Sequence, residues 1–198
     1  MGAGPWAGEV VLDLGAGTGF HLARFHRRAR HVVAVEPDDR LRLLAMERVA
    51  ALGLERVSVL TGSAERLVLA DRSIGVAQAR FAYFFGPGCE PGLAEVARVL
   101  RPGGSLFVVD NDWRSGTFAS WPARSAWCSW ADPDRIEAFQ RDQGFASVRV
   151  ESEWRFQRRQ DLEAVLGVEF PPPLAEELCR EHRGTTVEVH DRLYHRRF

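Results

Sequence analysis

The stretch VLDLGAGTGF, residues 11–20, sets three glycines at alternate positions, Gly15, Gly17 and Gly19, straight after an apolar run. A carboxylate, Asp13, stands two residues ahead of the first. Glycine lets the chain turn sharply and brings bare backbone against a bound molecule. Several nucleoside ligands use such a turn, so the register has to discriminate. A dinucleotide fingerprint needs G-x-G-x-x-G; Gly15 and Gly17 fit, but the third position is Phe20. A pyrophosphate takes amide donors at a helix N-terminus, and a carboxylate at Asp13 works against it. A ligand with an ammonium group and no phosphate is instead favoured there. Glu36 lies about twenty residues past the first glycine, where an acidic side chain accepts hydrogen bonds from both ribose hydroxyls. Alone, it supports an adenosine-type ligand without choosing among them.

These residues need elements to hold them. Glu9–Leu14 reads as a buried strand, residues 20–29 as a helix and residues 31–37 as a second buried strand stopped by Pro37. A helix over 38–53 starts on an Asp38 or Asp39 cap and stops at Gly53. Strands follow at 56–62, within 73–85 and at 105–112, with a helix over 91–104 closed by Pro-Gly-Gly. Strands alternating with helices predict a parallel sheet covered on both faces. Residues 132–145 form a further helix, and alternating runs at 146–156 and 185–198 predict an antiparallel pair at the end. With 198 residues and 45% hydrophobic content, one domain over 1–198 is expected, its cofactor half at 9–112 and its substrate half at 113–198.

Composition removes function classes. A net charge of −1 offers no field for nucleic acid or anionic lipid. No apolar stretch has the length of a membrane span, and residues 1–10 lack the features of a signal peptide, so a cytoplasmic protein is expected. Cys89, Cys128 and Cys179 are odd in number and far apart, which fits free thiols and no zinc site. Lysine is absent, which excludes a pyridoxal Schiff base, a P-loop lysine and a lysine-assisted tyrosine.

S-adenosylmethionine combines an α-amino acid, a sulfonium and an adenosine, and so satisfies both carboxylates. The segment from Val10 to Asp110 resembles the class I S-adenosylmethionine-dependent methyltransferases, in particular their small-molecule branch. VLDLGAGTG resembles that family's first motif, VVAVEPD its second, GSAERL (62–67) the loop that holds the adenine, and EVARVLRPGGSL (95–106) the helix-turn-strand after the fourth strand. The resemblance implies an α/β, Rossmann-like three-layer sandwich with a seven-stranded, mostly parallel sheet whose last strand is antiparallel. It implies Asp13, Gly15 and Ala16 by the methionyl end, Gly17 and Gly19 giving close backbone approach, and Glu36 on the ribose. Pro37 and Asp38 fall beside the adenine edge, Ser63, Ala64 and Glu65 around the adenine, and Arg80 or Phe81 beside the methionyl group. The cofactor implied is S-adenosylmethionine, with S-adenosylhomocysteine as product and no metal. Ser63 and Gly75 stand where many relatives carry aspartate, and the short stretch before the first strand suggests a pocket completed by another copy of the chain.

Methyl transfer from a sulfonium asks the protein to align a nucleophile and exclude water, so it requires no fixed catalytic constellation. The expected acceptor is a small molecule, with Phe81, Tyr83, Phe84, Asp110, Asn111 and Trp113 as candidate contacts. The Asn/Asp-Pro-Pro-aromatic motif of DNA amino-methylating enzymes is missing after the fourth strand, which disfavours nucleic acid. His21, His26 and His31 are spaced by five and do not make a metal face. His182, His190 and His195 remain open as bases, so the catalytic residue is unassigned. Trp113, Trp121, Trp127 and Trp130 mark a segment that either lids an apolar substrate, forms a subunit contact or packs on the sheet. A non-catalytic adenosyl-ligand-binding module is the alternative reading, and an NAD-dependent oxidoreductase a weaker one.

Overall fold

The computed structural model describes residues 6–124 and 131–198; Cys128, Trp127 and Trp130 lie outside the described residues. In chain order the elements are β1 (Val10–Leu14), α1 (Leu22–His26), β2 (His31–Val35), α2 (Asp39–Ala51), β3 (Val57–Leu60) and β4 (Ile74–Arg80). These are followed by α3 (Glu90–Val99), β5 (Leu100–Asn111), α4 (Pro133–Asp142), β6 (Ala146–Val150) and β7 (Glu153–Arg155). The chain closes with α5 (Arg159–Glu169), α6 (Pro172–Glu181), β8 (Thr186–Glu188) and β9 (Asp191–Arg197).

Seven strands form one sheet in the order β3-β2-β1-β4-β5-β9-β6, six of them parallel and one antiparallel. The expected Rossmann-like architecture is the one observed. The antiparallel member is β9: Gly103 N–H donates to the Phe198 carbonyl and Phe198 N–H to Gly104, while Asp112 N–H donates to His190. As one chain rises the other falls. Strands β1 and β2 are apolar on both faces, as parallel strands covered by helices must be, and Leu12, Val32 and Ala34 are fully buried. The chain steps outward from β1 to β2 and β3, then returns to β4 on the other side of β1. That reversal opens a crevice beyond the carboxyl ends of β1 and β4, where ligands of such sheets bind.

Three elements depart from the sequence expectation. Helix α1 has only one and a half turns. The helix expected to run to Gly104 ends at Val99, because Pro102-Gly103-Gly104 is drawn into β5 by its bonds to Phe198; a register shift between Ile74 and Val76 absorbs the irregularity. Each C-terminal alternating run breaks into two strands, since β7 and β8 pair with each other in a separate antiparallel ribbon. Ser152 holds the break: its carbonyl accepts from Val189 N–H at 3.0 Å, and its hydroxyl bonds the Val189 carbonyl.

The chain groups into two compact units. The first takes the chain up to Asp110 with residues 140–146 and 194–198, and includes a core of Val11, Leu22, Phe25, Val32 and Ala34. The second takes residues 111–139 and 147–193, and its core joins Phe118, Trp121, Leu162, Leu166, Phe170 and Leu178. Trp121 is 5% exposed and packs edge-on to Phe170 and His182. It is a core residue of this unit and offers no face to a substrate.

Candidate functional site

The three glycines of the first loop have positive φ for different reasons. At Gly15 (φ +67°) a Cβ would lie 2.5 Å from the Cβ of Ala82, on the segment after β4. At Gly19 (φ +73°) it would lie 2.9 Å from Leu22 Cδ1 and 3.1 Å from the Ala45 Cβ, so α2 packs directly on this turn. At Gly17 (φ +56°) a Cβ would meet nothing within 4 Å. The middle glycine therefore faces open space. Gly15 and Ala16 are anchored by amide bonds to the Val35 carbonyl at 2.9 and 3.2 Å.

Glu36 follows β2 and is 5% exposed. Its Oε2 accepts from Gly17 N–H at 2.8 Å and its Oε1 from Asp38 N–H at 3.0 Å. One amide on each oxygen fixes the carboxylate plane and leaves each oxygen with a further lone pair, the geometry that takes a vicinal diol. Asp38 also caps α2 by accepting from Leu41 N–H at 2.8 Å. Asp13, 4% exposed, lies opposite Ala34 on β2 and Gln78 on β4. Gln78 Nε2 donates to its Oδ1 at 2.5 Å. Burial pushes the Asp13 carboxyl up to about 6, the Gln78 bond opposes this, and the charge of Glu36 adds to the rise. A cation beside it would return what desolvation costs.

The other expected contacts differ in exposure. Pro37 is exposed, Ser63 is half-buried in a bridge with Arg66, Ala64 is buried, and Glu65 is exposed. Arg80 ends β4 and stacks on Phe81, its guanidinium carbon 5.0 Å from the ring centroid. Its charge lies near His21, whose pKa is lowered first by burial and then by Arg80 and Arg24. Phe81 and Tyr83 are both non-glycine residues at positive φ, +49° and +57°, flanking Ala82. The Tyr83 hydroxyl donates to Glu65 Oε1 at 2.8 Å and accepts from Gly92 N–H at 3.3 Å; burial and the Glu65 bond push its pKa up to about 12. Phe84 is 1% exposed and presents no surface to a substrate. Asp110 is buried at the end of β5, while Asn111 and Trp113, half-buried, belong to the second unit. Among the described residues no group of three or more His, Cys, Asp or Glu is placed to hold a metal ion, and no helix is long and apolar enough to cross a membrane.

Residues 11–104 match a family model described as a methyltransferase domain. An uncharacterized methyltransferase of Mycobacterium bovis is 41% identical over 108 residues, 54% of this chain and 42% of that protein. A ubiquinone/menaquinone biosynthesis C-methyltransferase of Rubrivivax gelatinosus is 32% identical over 108 residues, 54% of this chain and 41% of that protein. These likenesses support a class I S-adenosylmethionine-dependent methyltransferase, with the family match lying in residues 11–104. It spans less than half the length of these methyltransferase relatives. The fold of a S-adenosylmethionine-dependent methyltransferase from Aquifex aeolicus superposes with a TM-score of 0.60 at 17% identity, covering 97% of this chain and 84% of that one. A Bacillus halodurans structure gives 0.67 at 19% identity, covering 98% and 94%.

One departure from the methyltransferase pattern has a packing reason. A Cβ at Gly75 would lie 2.0 Å from Glu9 Oε2, and Glu9 is in turn paired with Arg101 at 2.5 Å. Glu9 fills the space that a side chain at position 75 would take. Sequence reading missed Gln78, the partner of Asp13; its signal was an uncharged polar residue between Ala77 and Ala79 in the strand IGVAQAR.

Proposed function

We propose that this chain transfers a methyl group from S-adenosylmethionine to a small-molecule acceptor. The observation that carries the reading is the Glu36 carboxylate, buried, held by one amide on each oxygen and adjoining the open backbone of Gly17. In this reading Glu36 binds the ribose diol, and Asp13, Gly15 and Ala16 take the methionyl end, where a buried carboxylate awaits an ammonium. Gly17 and Gly19 shape the loop around the ligand. Pro37 with Ser63, Ala64 and Glu65 borders the adenine, and Arg80 and Phe81 border the methionyl side. The bound cofactor supplies an electrophilic methyl group, and the chain binds, orients and excludes water. Curated relatives named for quinone C-methylation support a small, hydroxylated or quinol-type acceptor as the first class to screen.

Calorimetric titration with S-adenosylmethionine, S-adenosylhomocysteine and NAD tests the cofactor. Binding of the first two and not the third is expected. Glu36→Ala should weaken that binding by about 1–3 kcal/mol, the cost of leaving polar groups unpaired. Unchanged affinity in this variant removes the ribose assignment. Tight cofactor binding with no turnover across the screen would favour an adenosyl-ligand-binding module.

A further inference from the structure

Helix α2 is apolar on more than the side it buries. Its inner side carries Ala45, buried against the Gly19 turn, with Leu41 and Val49 half-buried beside it. At 3.6 residues per turn, Arg40, Leu43, Leu44 and Glu47 share the opposite side. Leu43 is 57% exposed and Leu44 43%, and Met46, one turn on from Leu43, is 48% exposed. The apolar surface continues onto Phe20, 70% exposed, over whose ring the Arg48 guanidinium carbon lies at 5.7 Å. Single exposed leucines are ordinary, but neighbouring apolar side chains on one helix and its adjoining loop mark an interaction face.

The charges around this face indicate what covers it. Asp39 pairs with Arg42 at 2.6 Å, and Arg48 Nε donates to the Thr18 carbonyl at 3.0 Å. Arg40 and Glu47 are exposed, and among the described residues neither has an ion-pair partner. They stand two turns apart, about 10 Å along the axis, too far to pair with each other. In the run DRLRLLAMER, residues 39–48, Asp-Arg and Glu-Arg lie at mirrored distances from the central Leu43-Leu44. A two-fold axis between those leucines lays a second α2 antiparallel on the first. It sets Leu43 against the partner's Leu44, Arg40 against the partner's Glu47 and Asp39 against the partner's Arg48, each contact occurring twice. A parallel pair in register would set like charges together at every one of these positions, which is costly. An unrelated partner needs no such mirror pattern; a second copy does.

We propose that this chain forms a two-fold dimer through the outer face of α2, with Leu43 and Leu44 at its centre and Arg40 and Glu47 pairing on both sides. All these residues belong to the first compact unit, and the proposal does not depend on the methyl-transfer reading. One helix pair with Phe20 beside it is a small contact next to the interfaces of obligate dimers, so the association is reversible and follows protein concentration.

Sedimentation velocity of the full chain over a concentration series tests this. Wild type should move from monomer to dimer as concentration rises, and a monomer at every concentration up to about 0.5 mM overturns the proposal. Arg40→Glu and Glu47→Arg should each raise the dissociation constant at least about tenfold, since each sets like charges face to face at two places. Mixed in equal amounts, the two variants should associate again, because the carboxylates of one chain then face the guanidinium groups of the other. Both positions are exposed, so circular dichroism and urea unfolding should match wild type. Leu43→Ser, which leaves the charges intact, should also weaken the dimer. Single variants that dimerise like wild type, or a mixture that stays monomeric, place the contact elsewhere and overturn the proposal.

Discussion

Asp13 has its carboxyl inside a parallel sheet, with one amide donor from Gln78 and the charge of Glu36 for company. Its pKa rises from 3.8 to about 6, so folding favours the protonated form. The stability this group contributes is complete below about pH 4 and is lost as pH rises through 6, leaving an ionised, desolvated carboxylate at neutral pH. Asp13→Asn keeps the acceptor for Gln78 and removes the charge. In thermal or urea unfolding without cofactor, it should stabilise the protein by about 1–3 kcal/mol at pH 7.5 and by little at pH 4. The same variant should bind S-adenosylmethionine more weakly, because the ammonium loses its partner. Wild-type affinity should fall by up to about tenfold per unit as pH drops below 6, and the variant's should stay flat in calorimetry over the same range. Asp13 and Glu36 were legible in the sequence because each is fixed by its own strand and turn. Gln78, 65 positions from Asp13, was not; only the folded sheet brings that pair together.

At the scale of elements, the glycine loop is a junction rather than a free turn. Gly19 has to be glycine twice over, for its φ and for the Ala45 and Leu22 atoms that meet it, whereas Gly17 needs only the φ. Gly17→Ala should therefore cost about 1–2 kcal/mol, the left-handed penalty. Gly19→Ala should cost more than Gly17→Ala in the same urea titration, by the strain of pushing α2 outward. Equal losses would mean that α2 yields without strain. Pattern reading located β1, β2, α2 and β4 well, since buried parallel strands and a capped helix declare themselves locally. It failed at Pro102-Gly103-Gly104, where a local stop signal was overridden by pairing with Phe198 almost a hundred residues on. It failed again where Ser152 ends one strand, because an alternating run carries no mark of which sheet it will join.

For the molecule as a whole, alternation of strands and helices was enough to anticipate a parallel sheet with an antiparallel strand near the end, because crossover connections leave few other topologies. What alternation could not reveal is a second core, built from Phe118 and Trp121 together with Leu162, Leu166 and Phe170 on and beside α5. Tryptophan clustering in sequence left a substrate lid, a subunit contact and packing all open; buried tryptophan is readily a packing element, and Trp121 fills that role. A core owned by one unit makes a local prediction. Leu166 is fully buried, so Leu166→Ala removes both its transfer energy and the packing around the cavity left, about 2–5 kcal/mol. The loss should appear first where that side chain packs. In hydrogen exchange the amides of α5 and α6 should lose protection, while those of β1 and β2, whose core shares no residue with this one, should keep theirs until global unfolding. Uniform loss along the chain would show instead that both cores open in one cooperative step, and that the second unit has no separate stability to lose.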